Sequence, residues 1–202
     1  VFVPITAGGA IKTLEDGKNL LYAGADKLAI NTGIVKNPEL INELSSALGK
    51  QCVVASLQVR KSLINKSWEV MIESGREKSD KKLIDWLLEI QERGVGEIFL
   101  TSVDKDGTAK GPDLDLINLV SKYVKVPLVV GGGISNPSEI DQIFKINKNI
   151  SGISIGFAFH KSLMNIKEVK SALKKNNLNV RGFKPIEIKK LNETRTVAVI
   201  DY

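Results

Sequence analysis

Apolar residues in this 202-residue chain follow two alternating patterns. Runs rich in Val, Ile and Leu lie at 1–6, 27–30, 52–59, 97–100, 126–130 and 152–155. Runs of this length and composition are typical of strands buried on both faces of a parallel sheet. Amphipathic stretches separate them. The alternation predicts six βα units joined by helical crossovers, at a spacing of roughly 25 residues.

Helical periodicity is clearest in two of the intervening stretches, 80–93 and 137–145, where one face collects Leu83, Trp86, Leu87, Ile90, Ile140, Ile143 and Phe144. Asn37 and Asn136 each precede a proline, which predicts an N-cap followed by Pro at the first helical position. The segment 67–72 is predicted to form a hairpin with the end of the third strand.

One short motif occurs twice, with an offset of 123 residues. An apolar run is followed by Gly8, Gly9 and Ala10 in the first copy and by Gly131, Gly132 and Gly133 in the second. A strand that enters a glycine turn before a helix directs backbone N–H groups towards an anion such as phosphate. The two turns predict a duplicated fold that holds a substrate with a phosphate at each end.

A closed (β/α)₈ barrel has eight such units in about 250 residues. Since six are visible and Val1 already lies in a predicted strand, we expect two further units before it. Residues 1–181 are then part of an α/β barrel, with an open doubly wound sheet as the alternative. The stretch 182–202 is predicted to be a linker followed by the start of a second domain, because an apolar strand begins near 196. We expect more sequence beyond Tyr202.

Composition excludes several classes of protein. The excess of 29 Lys and Arg over 23 Asp and Glu is spread over helical segments, which indicates a solvated basic surface rather than a nucleic-acid site. No apolar run approaches the roughly 18 residues of a membrane span. Cys52 lies in an apolar run, where we expect a buried strand residue, and a lone cysteine is typical of a cytoplasmic protein. No metal-ligand spacing occurs, so we predict no metal and no cofactor.

Candidate chemistry follows the fourth predicted strand. Asp104 and Asp106 come directly after it, where the active sites of barrels lie, and both are candidates for a general acid or base. An Asp/Gly turn without catalytic function is the alternative. Gln58 occupies the equivalent end of the preceding strand, and its amide can form hydrogen bonds but cannot usefully take up a proton. Thr101 and Asp104 are predicted to contact substrate.

Two further groups of residues are candidates. Asn31 and Thr32 follow the second strand, and Gly156 follows the sixth, so each group can add donors to a phosphate beside a glycine turn. Lys27 and Glu97 begin two strands, where they form either a structural salt bridge or a gate at the barrel floor. We predict a structural or surface role for His160.

These residues together resemble the cyclase subunit of imidazole glycerol phosphate synthase, a (β/α)₈ barrel. The matching stretches are 4–11, 24–32, 35–41, 51–54, 94–108 and 131–133. The resemblance implies a reaction between ammonia from a glutaminase partner and a bis-phosphorylated ribulosyl aminoimidazole carboxamide nucleotide. It implies phosphates at the two glycine turns, catalytic assistance by Asp106, gate positions for Lys27 and Glu97, and a glutaminase-facing position for Asp26.

The chain departs from the family pattern. The first of the family's two acid/base aspartates falls in the part expected before Val1, and the second aligns with Gln58. Ala10 replaces the third glycine of the first turn. An ammonia-delivering member that amidinates a surface sugar, an impaired cyclase and a phosphosugar isomerase of the same half-barrel family are therefore alternatives. The last six residues resemble the first strand of a glutaminase subunit, which would indicate a fusion.

Overall fold

The computed structural model describes residues 3–64, 67–147, 150–178 and 180, and the backbone of two strands near the end of the chain. The strands are β1 (Thr6–Gly8), β2 (Lys27–Ile30), β3 (Val53–Lys61), β4 (Trp68–Ile72), β5 (Glu77–Lys82), β6 (Glu97–Ser102), β7 (Leu128–Gly131), β8 (Gly152–Ser154), β9 (Glu187–Leu191) and β10 (Arg195–Val199). The helices are α1 (Leu14–Tyr22), α2 (Thr32–Lys36), α3 (Glu39–Leu48), α4 (Leu83–Glu92), α5 (Leu114–Ser121), α6 (Pro137–Ile146), α7 (Phe157–His160) and α8 (Ile166–Lys175).

The main sheet has eight strands: β4 and β5 are attached at the end of β3, and the other six follow the order β1, β2, β3, β6, β7, β8. Every neighbouring pair among these six is parallel, and the order follows the chain without a reversal. This order excludes the doubly wound alternative, in which the strand order reverses. The curled sheet is the wall of a (β/α)₈-type barrel with six of its βα units, as the alternation predicted.

The hydrophobic core lies between the outer face of this sheet and the helices. Leu28, Ile30 and Ile98 point outwards from their strands and are almost completely buried. The helices meet them with the apolar stripes seen in the sequence, including Trp86 and Ile90 of α4. We expected strands buried on both faces. The inner face of the sheet instead carries polar and small residues that remain partly exposed.

Several local expectations are corrected by the structure. Asn37 does not cap α3: the cap position is Pro38, without a side-chain hydrogen bond, and the helix begins at Glu39. Cys52 is only half-buried and ends a short 3₁₀ turn, Lys50–Cys52, before β3 begins. Of the predicted strand 1–6, positions 1 and 2 lie outside the described residues, positions 3–5 are not in a strand, and β1 begins at Thr6.

The predicted hairpin is present and is longer than expected. β4 pairs antiparallel with the end of β3, and β5 pairs antiparallel with β4. No apolar pattern predicts β5, because Glu77–Lys82 is almost entirely polar. Near the end of the chain, β9 and β10 form a separate antiparallel ribbon. The predicted linker at 182–185 lies outside the described residues, and the second domain remains a prediction.

The duplication seen in the sequence extends to the helix starts. Thr13 caps α1 in a capping box with Asp16, and Asn136, 123 positions after Thr13, caps α6 in a capping box with Glu139. The Asp16 carboxylate accepts from the backbone N–H of Lys12 and Thr13 at 2.9 Å, and these bonds hold the pKa of Asp16 below its ordinary value. Within the described chain no helix has the length and apolar character needed to cross a membrane.

We expect Thr13→Ala and Asn136→Ala each to lower the free energy of unfolding by about 1 kcal/mol, because each leaves first-turn N–H groups without an acceptor. Urea denaturation followed by circular dichroism measures the change. Asn118→Ala, at an exposed position inside α5, is the control and should alter stability by no more than about 0.5 kcal/mol. Equal effects at all three positions would contradict a capping role.

Candidate active site

Parallel pairing brings four inward-facing residues into one row near the carboxyl ends of their strands. Gln58 pairs with Thr101, Thr101 with Gly131, and Gly131 with Ser154. All four are partly exposed on the inner face of the sheet, whereas their immediate neighbours Leu57 and Val130 are buried under the helices. The row lies at the end of the barrel where the sequence placed the chemistry.

Two cavities open at this end of the sheet. The smaller, of about 240 Å³, is lined on its polar side by Gln58, Thr101, Asp106, Gly132, Gly133 and Gly156. The larger, of about 780 Å³, is lined by Gly8, Gly9, Asn31, Thr32 and Gln58 among others. Ser56, Gln58 and Phe99 line both cavities. The two cavities therefore meet at Gln58 and form one elongated site with a glycine turn in each part.

The loop that carries Asp106 packs on the second glycine turn. A Cβ atom at Gly132 would lie 2.9 Å from the carbonyl oxygen of Ser102 and 3.5 Å from the backbone nitrogen of Asp106. The Asp106 N–H donates to that Ser102 oxygen at 3.0 Å, which closes the turn. The absence of a side chain at Gly132 thus allows the Asp106 loop to approach the predicted phosphate turn.

Asp104 is the one predicted contact residue of this loop that lines neither cavity. Its carboxylate accepts from the backbone N–H of Lys61 at 2.7 Å, so it fastens the loop after β6 to the end of β3. Its contact with substrate remains a prediction. Gly131, the last residue of β7, also lies outside the cavity linings but belongs to the row beside Thr101.

The two glycine turns differ at their third position. Gly133 has a φ of +82° and is buried, and a Cβ there would overlap the carbonyl oxygen of Gly111. Its counterpart Ala10 has a φ of +53° but is exposed. Both positions are in the left-handed region, but only in the second turn is there no space for a Cβ atom. Alanine is therefore tolerated in the first turn at the cost of backbone strain.

Charged residues pair at the opposite end of the strands. Lys27 Nζ lies 2.5 Å from Glu97 Oε2, although β2 and β6 are separated by β3. The Glu97 side chain is 16% exposed and that of Lys27 33%. Asp26 is exposed beside Lys27, and its carboxylate accepts from the N–H of Ile5 at 2.7 Å. The geometry expected for a charged barrel floor is present.

A family model described as "Histidine biosynthesis protein" matches residues 1–165. The chain belongs to the histidine biosynthesis protein family. It is 38% identical over 200 residues to the imidazole glycerol phosphate synthase subunit HisF of Methanococcus vannielii, with 90% of this chain and 73% of the relative covered. The HisF subunits of Dictyoglomus thermophilum and Streptococcus gordonii are each 40% identical over 181 residues, with 90% of this chain and 71% of the relative covered.

The structure of this histidine biosynthesis protein adds residues that the sequence did not point to. The tip of the β4–β5 hairpin brings Glu73 and Ser74 to the larger cavity. The Glu73 N–H donates to Thr32 Oγ1 at 3.0 Å, and its carboxylate pairs with Lys36 at 2.8 Å. This pair lowers the pKa of Glu73 and raises that of Lys36. Contacts between residues so far apart in the sequence cannot be predicted from local patterns. The polar sequence of β5 also did not indicate that the hairpin extends to the cavity.

The remaining sequence candidate, His160, is exposed at the end of α7 and lines neither cavity, which agrees with a surface role. Among the residues described, no group of three or more His, Cys, Asp or Glu side chains has the arrangement of a metal site. The side chains that the site offers for chemistry are therefore hydroxyl, amide, carboxylate and ammonium groups, with Asp106 in the smaller cavity and Lys12 and Lys36 in the larger.

We expect Gly133→Ala to lower the free energy of unfolding by at least about 2 kcal/mol, because it adds left-handed strain and a backbone clash. Ala10→Gly should raise it by about 0.5 kcal/mol, since relief of strain exceeds the entropy lost by glycine. Ala7→Gly, at an ordinary strand position, is the control and should be destabilising. Chemical denaturation measures all three. A stabilising Ala7→Gly would contradict the explanation.

Proposed function

We propose that this chain acts as the cyclase subunit of imidazole glycerol phosphate synthase. In this reaction ammonia combines with a bis-phosphorylated ribulosyl aminoimidazole carboxamide nucleotide to give imidazole glycerol phosphate, an aminoimidazole carboxamide ribotide and water. The observation that carries the proposal is the elongated site, in which two cavities with a glycine turn each meet at Gln58. The HisF relatives support the same activity.

Phosphate binding is assigned to the two turns and the short helices beside them. Gly9 and Thr32 line the first position, and Gly132, Gly133 and Gly156 line the second. Asn31 also lines the first cavity, where its side-chain N–H groups donate to Met71 and Gln58. Backbone N–H groups in such turns and at the start of a short rim helix favour a doubly charged phosphate. The first position also has Lys12 and Lys36 in its lining, which add attraction for an anion.

Proton transfer is assigned to Asp106. It lines the same cavity as Gln58, and its backbone lies beside the second glycine turn. We therefore assign its carboxylate to the part of the substrate between the two phosphates. A positioned carboxylate of this kind typically contributes about 10²–10⁴-fold to the rate. Gln58 holds substrate by hydrogen bonds only, since an amide has no basic lone pair at neutral pH.

Ammonia delivery is assigned to the opposite end of the barrel. The Lys27–Glu97 pair lies at the floor, and such a partly buried pair adds little to stability, because desolvation offsets the attraction. A gate between a glutaminase partner and the interior gives the pair a use. The exposed Asp26 is the residue we assign to contact with that partner. No cofactor is needed for the proposed reaction.

The glutamine at position 58, in place of a carboxylate, favours a second candidate function. A family member that delivers ammonia to a surface-sugar precursor keeps the charged floor and the glutaminase partner without needing the acid/base carboxylate at position 58. Turnover of the histidine precursor separates the two candidates.

We expect the full-length protein to form imidazole glycerol phosphate from the bis-phosphorylated nucleotide and an ammonium salt, with the products measured by chromatography. Gln58→Asp should raise kcat by roughly 10-fold or more, because it restores a proton acceptor beside the substrate. Gln51→Asp, an exposed position outside the site, is the matched control and should leave kcat unchanged. Absence of product from both the native chain and Gln58→Asp would favour the second candidate.

We expect Lys27→Met and Glu97→Gln to reduce glutamine-dependent turnover several-fold more than turnover with free ammonium, in the presence of the glutaminase. The reason is that bulk ammonium can reach the site from the open rim, whereas ammonia from glutamine has to pass the floor. Lys175→Met, which removes an exposed surface pair with Asp141, is the control. An equal loss of turnover with both nitrogen sources would show that the pair is only a structural ion pair.

A further inference from the structure

Gln58 is held by a hydrogen-bond chain that starts from a backbone carbonyl of the hairpin. Asn31 Nδ2 donates to the Met71 carbonyl oxygen at 2.9 Å and to Gln58 Oε1 at 3.0 Å. Gln58 and Met71 are directly opposite each other in the β3–β4 ladder, so the carbonyl and the side chain lie close together. Asn31 reaches both from the end of β2.

The chemistry of this chain fixes which way both amides face. A backbone carbonyl can only accept, so the Asn31 atom that faces Met71 has to be the nitrogen. The same nitrogen lies against Gln58, and the Gln58 atom that meets it therefore has to be the oxygen. The orientation of the Gln58 amide is thus imposed by the hairpin and is not free to adapt to a ligand.

The consequence is an N–H donor at the centre of the site. Gln58 Nε2 points away from Asn31, and within the described part of the chain no residue accepts a hydrogen bond from it. Gln58 lines both cavities and is partly exposed to them. Both of its N–H groups are available where the two cavities meet.

A carboxylate at this position would accept from Asn31 with one oxygen and offer the other as a base. The glutamine instead directs an N–H donor into the site from the same position. We propose that Gln58 is a specificity-determining residue that donates to an oxygen acceptor of the ligand, such as a carbonyl or carboxamide oxygen, and that Asn31 is its positioning residue. The choice of ligand for the test rests on the proposed function.

The ligand arm measures binding of the bis-phosphorylated nucleotide by calorimetry without ammonia, so that no turnover occurs. Gln58→Leu removes the donor and should weaken binding about 10-fold. Gln58→Glu turns an acceptor towards the ligand's acceptor and should weaken binding at least as much. Gln51→Leu is the matched control and should bind like the native chain. Native-like binding by Gln58→Glu would overturn the proposal.

The positioning role is tested by a double-mutant cycle. Asn31→Ala should weaken binding in the native background, because it releases the Gln58 amide, and should have much less effect in the Gln58→Leu background. Inorganic phosphate is the reference ligand, since it occupies the turns without reaching the centre of the site. Independent, additive effects of the two substitutions on nucleotide binding would show that Asn31 does not act through Gln58.

A ligand-free arm keeps this inference separate from the proposed function. In Gln58→Glu, the introduced carboxyl should accept from Asn31, so its pKa by ¹³C NMR should be lower than in Gln58→Glu/Asn31→Ala by roughly half a unit or more. Equal pKa values would overturn the hydrogen-bond chain. If the native chain fails to bind the nucleotide while the pKa difference is present, the proposed substrate is wrong and the donor orientation stands.

Discussion

The register of the parallel strands is the constraint on which both ends of this molecule depend. Side chains alternate between the two faces of a strand, so a slip of one residue turns an entire strand inside out. In β6 the inward positions are Glu97 at the floor, Phe99 in the middle and Thr101 in the rim row. A slip against β3 would replace Thr101 by Ser102 and carry Glu97 away from Lys27. The rim row and the floor pair are therefore specified together, by the burial of Ile98 and Leu100 under the helices.

The duplicated turns show how one backbone solution adapts to two surroundings. In both halves a strand ends in glycine, a positive-φ segment follows, and a capping box starts the next helix. The second turn is buried beneath the loop that carries Asp106, and there only glycine fits at Gly133. The first turn is open, so Ala10 can occupy a left-handed conformation without a clash. Sequence divergence between the copies thus follows burial and not backbone conformation.

Much of the architecture was predictable, because it depends on local patterns. The apolar runs and helical stripes predicted the parallel strands and their order, and Asn136 followed by Pro137 predicted the start of α6. Side-chain direction was not predictable. Asp104 and Asp106 are two residues apart, yet one binds Lys61 and the other lines a cavity. Asn31 and Gln58 meet across the neighbouring strands β2 and β3, and the Met71 carbonyl that also accepts from Asn31 belongs to the hairpin. No local pattern predicts these contacts.

The two ends of the elongated site are alike in backbone and unlike in charge. Lys12 and Lys36 line the larger cavity, and Lys36 forms an ion pair with Glu73. Among the residues described, the smaller cavity is lined by Asp106 and by no lysine or arginine. A phosphate in the first turn is attracted by side-chain cations as well as N–H groups. In the second turn it depends on backbone dipoles and lies near a carboxylate. Under the proposed function, a substrate with a phosphate at each end is therefore bound unequally at its two ends. The direction in which its central atoms face Gln58 and Asp106 is set by side chains that the duplication did not preserve.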